Sequence, residues 1–277
     1  MFTFLLKFFQ KKHIEYFAPL ALCDCRVIRP YLLERAGIMD GTAILFAIPY
    51  LTPAAADPTR NLSAYAVSQD YHLFFEALYE ELLPMLRAAF PQFLFAGFAD
   101  HSPIDEVDAA ARAGLGVIGQ HRLLITPNYS SYVFLGEIVT NAKLPCAPRE
   151  ISTCEGCGAC MRQCPASACG GCLSALTQKK GALTQEEFHA IVSGGSVWGC
   201  DICQAVCPHT QSAIRAGTVY SPIPFFSETP LAHLTIETLD AMSDEEFAHR
   251  AYAWRGRKTI RRNLLLMQEK GETPCSG

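Results

Sequence analysis

Apolar residues gather into three short runs in the first half of the chain, "GTAILFAIPY" (41–50), "FPQFLFAGFAD" (90–100) and "SYVFLGEIVT" (131–140). Each is of strand length, rich in β-formers and bounded by turn residues, so each is predicted to be a strand. "DYHLFFEALYEELLPMLRAAF" (70–90) instead repeats its apolar positions at helical spacing, which places a helix between the first two strands. At the start, "MFTFLLKFFQKKHIEYF" is interrupted by Lys7, Lys11 and Lys12 and no small-residue cleavage site follows, so it reads as an amphipathic helix and not as a signal peptide. Strands separated by helices predict an α/β sheet domain over residues 1–145.

The pattern then changes. "NAKLPCAPREIST" (141–153) carries two prolines and little periodicity and reads as a linker. A cysteine-rich stretch opens the second segment, 146–215, in which "LTQEEFHAIV" starts with a capping box from Thr184 to Glu187 and predicts a helix bridging two cysteine groups. The third segment, 216–277, passes from the proline-punctuated "SPIPFFSETP" to a helical end, opened by a second capping box from Ser243 to Glu246.

Composition narrows the setting. The 277 residues suffice for one large domain or two smaller ones. No run approaches the ~18–20 apolar residues of a membrane helix, so a soluble cytoplasmic protein with no membrane partner is expected. A net charge of −4 gives no general attraction to phosphate backbones. The local exception is "RGRKTIRR", with Arg255, Arg257, Lys258, Arg261 and Arg262, expected to form a solvated basic face. Most of the thirteen cysteines lie between 154 and 207, unlike the even spread of a disulfide scaffold, and metal ligation in a reducing compartment fits better.

Cys154, Cys157, Cys160 and Cys164, followed by Pro165, form C-x2-C-x2-C-x3-C-P, the bacterial ferredoxin run. Its fourth cysteine serves the other cluster in two-cluster proteins. Cys200, Cys203 and Cys207 form a second group ending in Pro208. Zinc also binds C-x2-C pairs but seldom uses so continuous a run. Two [4Fe-4S] clusters need eight thiolates; these seven leave the eighth to Cys169 or Cys172. The crossover assigns Cys154, Cys157, Cys160 and Cys207 to one cluster and Cys164, Cys200 and Cys203, with the eighth thiolate, to the other. Cys23, Cys25, Cys146 and Cys275 fall outside the framework and read as buried or incidental thiols.

The α/β segment should hold the electron acceptor. Asp100 follows an apolar strand, where a carboxylate serves either a turn or a ligand. Gly114, Gly116 and Gly119 permit tight turns or close backbone approach to a cofactor. They follow the acidic helix "IDEVDAAARA" and not a strand, which argues against a dinucleotide fingerprint; a flavin domain would fit this much equally well.

The order of Asp100-x-x-Pro103-x-x-Glu106, "RAGLGVIGQHRLLI", "SYVFLGEI", the ferredoxin run and "GCDICQAVCP" resembles the cobalamin-dependent tRNA epoxyqueuosine reductase family from about residue 40 to about 265. The resemblance implies an α/β cobalamin-binding-type domain followed by a two-cluster ferredoxin-like (α+β) iron–sulfur module. It also implies a base-off cobalamin, with Ser131, Tyr132 and Gly136 joining the three glycines as cofactor contacts. Asp100 corresponds to the family's general acid, expected to have a raised pKa in an apolar, cofactor-covered pocket. "CLSALTQKKG" favours Cys172 as the eighth ligand. "DYHLFF" nearly matches D-x-H-x-x-G, but Phe75 replaces the glycine, so His72 is not assigned to cobalt and is expected to pack at a helix start.

The partners so implied are the tRNA anticodon loop and a low-potential donor such as a flavodoxin or ferredoxin, acting on a monomer. Relatives continue into a helical-repeat domain that grips tRNA, and the chain is expected to be a short form without it. "NLSAYAVSQ" lacks arginines common in relatives, and Gln120 stands where a lysine is usual. The alternatives are a related small-molecule reductase and a ferredoxin-type electron carrier.

Overall fold

The computed structural model describes residues 1–167 and 171–272; Cys169 and Cys275 lie outside the described residues. The chain divides into two compact units built from interleaved segments: residues 1–50, 72–157 and 212–223, and residues 51–71, 158–211 and 224–277. The three contiguous segments 1–145, 146–215 and 216–277 are therefore each distributed over both units.

In the first unit the elements run α1 (Phe2–Lys11), β1 (Tyr16–Ala21), α2 (Pro30–Ala36), β2 (Thr42–Pro49), α3 (Tyr71–Ala89), β3 (Phe95–Phe98), α4 (Glu106–Arg112), the short pair β4 (Val117–Ile118) and β5 (Leu124–Ile125), and β6 (Val133–Thr140). Four strands form one antiparallel sheet in the order β1-β2-β6-β3. Every residue of β2 is buried, because both of its faces are covered. Phe46 faces α1 and α3, with ring centroids 5.2 Å from Phe9 and 6.1 Å from Phe75. Ala43, Leu45 and Ala47 alternate to the other face, where they join Ala109, Ala110 and Ala111 of α4. Small residues there let α4 approach the sheet closely. The predicted strands and the helix between the first two of them are present, but every strand pair is antiparallel, so the α/β expectation is corrected to a sheet of antiparallel pairs with packed helices; the edge strand β1 was not foreseen, because its pattern merges with the end of the amphipathic helix.

The second unit carries α5 (Ala159–Arg162), α6 (Leu173–Gln178), α7 (Gln185–Gly194), α8 (Ile202–Ala205), the start of α9 (Pro208–Ala216), α10 (Ile236–Ala241), α11 (Asp244–Ala248) and α12 (Arg257–Glu272). Both capping boxes are formed, at Thr184 and Ser243. The α+β character expected of the cysteine segment is not found among its described residues, which form helices joined by loops, with isolated bridges such as Leu62 to Trp198. Trp198 is fully buried against Tyr252, and the side-chain amide of the buried Asn263 donates to the carbonyls of Thr177 (2.7 Å) and Val197 (2.8 Å). One side chain thus ties α12 to α6 and to the loop that leads into the second cysteine group.

No helix among the described residues is long and apolar enough to cross a membrane.

Candidate functional site

The sheet register builds the site around Asp100. Phe98, the last residue of β3, lies opposite Glu137 of β6, and the chain leaves the sheet two residues later. Asp100 turns there with a φ of 62°, a left-handed conformation uncommon for a residue with a side chain. Its amide donates to Oε1 of Glu106 in the first turn of α4 (3.2 Å). The same loop is held from beneath by Ser102, whose hydroxyl bonds Oε1 of Glu137 and accepts from the amide of Ile104. Pro103, the other residue of the D-x-x-P-x-x-E pattern, accepts from the amides of Ile28 (2.8 Å) and Arg29 (3.0 Å). The motif is thus a loop whose rim is fixed by its own glutamate.

The Asp100 side chain is 68% exposed and faces Nε2 of His72 at 3.7 Å. Two expectations are corrected here. His72 does not simply pack at the start of α3; it partners the carboxylate. And the Asp100 carboxyl is held below the usual range, first by hydrogen bonding to His72 and then by the charges of His72, Arg29 and His101, which outweigh partial burial. The raised pKa lies instead on the neighbours. Burial pushes Glu106 up to about 7 and Glu137 well above its ordinary value, each further raised by a nearby carboxylate. Beside the loop, Val27, Ile28 and Tyr31 are exposed, and Tyr31 Oη lies 2.9 Å from Nε2 of His101.

The glycines serve the chain's own packing. A Cβ on Gly116 would sit 2.3 Å from the carbonyl oxygen of Ile125, one on Gly119 would meet the His121 ring at 2.5 Å, and one on Gly136 would meet Phe75 at 2.4 Å. Gly114 has a φ of 86° and lies under Arg149. Ser131 and Tyr132 are buried. What sequence reasoning missed is where this stretch leads: Ile118 pairs with Thr153, the amide of Cys154 donates to the carbonyl of Ile118 (3.0 Å), and the amide of Gln120 donates to Sγ of Cys154 (3.4 Å). The glycine-rich turn therefore cradles the first cysteine of the run.

In the second unit Cys160 and Cys207 are buried, and α5 packs against α8. Burial pushes the Cys200 thiol up to about 11, and the nearby Cys172 and Cys164 raise it further. Cys203 is pushed up to about 12, again first by burial and then by Cys200, Cys172 and other neighbours. Cys164 and Cys172 thus lie near enough to raise Cys200, and Cys200, Cys172 and Cys160 near enough to raise Cys203. Among the described residues no three His, Cys, Asp or Glu side chains converge as the site of a single ion. Asp201, between two of these cysteines, is buried and accepts from Arg60 (2.6 Å) and from the amide of Ala64 (2.7 Å), tying residues 60–64 to the second cysteine group.

Comparison with known proteins places these features. The chain is 32% identical over 232 residues to the epoxyqueuosine reductase of Gloeobacter violaceus, spanning 80% of this chain and 71% of the relative. It belongs to the epoxyqueuosine reductase family. The relative from Bacillus cereus is 33% identical over 210 residues, which are 72% of this chain; the chain spans only about half of that relative's length, 54%. A crystal structure of an epoxyqueuosine reductase with an epoxyqueuosine-modified tRNA stem loop shares the fold, with a TM-score of 0.75 at 23% identity over 96% of this chain and 80% of that one. No family model matches.

One part of this epoxyqueuosine reductase homologue departs from expectation. The basic stretch near the C-terminus is not a solvated face. Arg257 donates to the carbonyls of Leu239, Met242 and Ser243; Arg261 pairs with Asp240; Arg262 donates to the carbonyls of Lys179 and Gly181. Arg255 stacks 3.9 Å over the ring of the exposed Trp254. The guanidinium groups of Arg257 and Arg262 thus cap helix and loop carbonyls, whereas Lys258 and Arg261 are exposed.

Proposed function

We propose that this chain is an iron–sulfur and cobalamin-dependent reductase that converts epoxyqueuosine to queuosine in tRNA, with Asp100 as its acid. The observation that carries the reading is the exposed Asp100–His72 pair, held at the end of a sheet in a member of this family. Removal of an epoxide oxygen as water takes up two electrons and two protons and leaves an alkene. The chain's own contribution is the proton side. Asp100 is held as a carboxylate at the loop surface, so the proton that the pair delivers would come from His72 in its imidazolium form, 3.7 Å away, and pass through the Asp100 carboxyl. Val27, Ile28 and Tyr31 offer an apolar surface beside that proton for a large planar group.

The cysteines supply the electron side. We assign Cys154, Cys157, Cys160 and Cys207 to one [4Fe-4S] cluster and Cys164, Cys172, Cys200 and Cys203 to the other, on the crossover of the ferredoxin run; the nearness of Cys164 and Cys172 to Cys200 supports the second set. Cobalamin, when bound base-off, supplies the reducing centre for the epoxide. The room beside Gly114, Gly116, Gly119 and Gly136 is filled by side chains or backbone of this chain, and Ser131 and Tyr132 are buried, so these residues would support the cofactor site from within the chain's own packing. A low-potential flavodoxin or ferredoxin would deliver the electrons to a cytoplasmic monomer.

The test is anaerobic reconstitution with iron, sulfide and cobalamin, followed by incubation with epoxyqueuosine-bearing tRNA and a low-potential reductant, and mass spectrometry of the digested nucleosides. Queuosine from wild type and none from Asp100→Asn supports the assignment. Filled clusters and bound cobalamin without conversion would point to a small-molecule substrate, and absence of cobalamin binding to an electron carrier.

A further inference from the structure

Beneath the exposed acid lies a second, hidden carboxyl arrangement. Glu137 is completely buried, in the middle of the sheet. One of its oxygens is bonded by Ser102, but Oε2 is buried with no N–H or O–H directed at it from any described residue. The polar group that side chain meets is the carboxyl of Glu106. Two ionised carboxylates cannot share such a site, because each is an acceptor only and their charges repel in a medium that screens poorly. A single proton resolves both problems, making one carboxyl the donor that the other lacks.

The surroundings hold no second solution. Arg29 is the cation among the described residues that lowers Glu106's pKa, and it does so less than burial raises it. Tyr79 and Cys25 also face the pair, and burial first, then the charge of Glu137, keeps Tyr79 well above its ordinary pKa and raises Cys25 to about 12. Both are neutral at physiological pH and add no counter-charge. Asp100, whose own partners are His72 and His101, adds a negative charge.

We propose that Glu106 and Glu137 share one proton and that this shared proton positions Asp100, because it keeps Glu106 in place to accept the Asp100 amide. Glu106 is then a positioning residue and not an acid that touches substrate. The inference rests on the role proposed for Asp100. The left-handed turn at Asp100 costs roughly 1 kcal/mol for a residue with a Cβ, so it persists only while its amide is held. Loss of the last proton sets two anions side by side; Glu106 swings toward water, the amide loses its acceptor, and the loop relaxes. Either carboxyl can carry the proton, since the two titrate as a unit.

The experiment uses the full-length apo chain labelled with 13C at glutamate side-chain carboxyls and with 15N. Two coupled glutamate signals that keep a proton at pH 6, and an Asp100 amide signal that moves with the same midpoint as that proton leaves, are expected. Two glutamates ionised throughout at pH 6, or an Asp100 amide that ignores them, overturn the proposal. In the reconstituted enzyme, Glu106→Ala should lower turnover on the order of 10- to 100-fold, the cost of a misplaced acid. Glu106→Gln, which still offers a carbonyl to the amide and an N–H to Glu137, should restore most of that loss and abolish the alkaline decline. A Glu106→Gln variant that keeps the wild-type alkaline limb would contradict the shared proton. The two readings fail separately: activity surviving in Asp100→Asn removes the acid but leaves the titration result standing.

Discussion

Nε2 of His72 stands 3.7 Å from Oδ2 of Asp100, although 28 positions separate them in the chain. One comes from the first turn of α3 and the other from the loop after β3, and the antiparallel sheet brings the two together. The contact pairs a surface aspartate with an imidazole.

His72→Phe should release Asp100 toward its ordinary acidity. A lowered carboxyl contributes stability that is present above the unfolded-state value of 3.8 and is lost as pH falls through the folded-state value. The variant should therefore lose less stability on acidification than wild type, and the Asp100 side-chain carbon should titrate at higher pH. An unchanged Asp100 titration would show that His72 is not its partner.

Glu106 and Glu137 carry the opposite sign. Their folded-state values lie above the ordinary 4.5, Glu106 at about 7, so the unfolded chain gives up protons first as pH rises. Stability from this pair is complete below about pH 4.5 and declines as pH rises through 7. Urea unfolding from pH 5 to pH 8 should show this decline in wild type and a flatter profile in the Glu106→Gln, Glu137→Gln double variant.

Asp201→Ala should destabilise the second unit by about 3–5 kcal/mol, the cost of leaving one partner of a buried ion pair alone. Arg60 would lose its 2.6 Å acceptor and the amide of Ala64 its 2.7 Å acceptor. A double-mutant cycle with Arg60→Ala checks the coupling; additive losses would mean that the two side chains act independently.

Arg257→Ala and Arg262→Ala should lower the melting temperature without changing the salt dependence of tRNA binding, because both guanidinium groups are engaged by backbone carbonyls. Lys258→Ala should do the reverse, leaving stability within about 0.5 kcal/mol. A reduced salt slope for Arg262→Ala would instead point to a phosphate contact by this residue.

Gln120→Pro removes the amide that donates to Cys154. Hydrogen bonds to cluster sulfur stabilise the reduced state, so the potential of the cluster held by Cys154 should fall in a redox titration followed by electron paramagnetic resonance. No shift would assign that amide a purely structural role.

The sequence by itself determined the local chemistry. Cysteine spacing named the thiol groups, because a ligand run must be close in the chain to wrap one cluster corner. Periodicity located α3, β2 and β6, and both capping boxes could be read from two residues each, since those interactions span only one helical turn. The D-x-x-P-x-x-E pattern singled out Asp100. Tertiary structure decided what each of these groups meets. Ser102 of the Asp100 loop meets Glu137 only because Phe98 registers with Glu137 across β3 and β6, and no pattern in a single strand specifies its partner's register. The same register moved the raised pKa from Asp100 to the buried glutamates, since a pKa depends on burial and neighbouring charge, neither of which is local in sequence. It likewise turned a basic stretch into helix caps: the charge of an arginine is written in the chain, but the carbonyls it serves are placed by the fold.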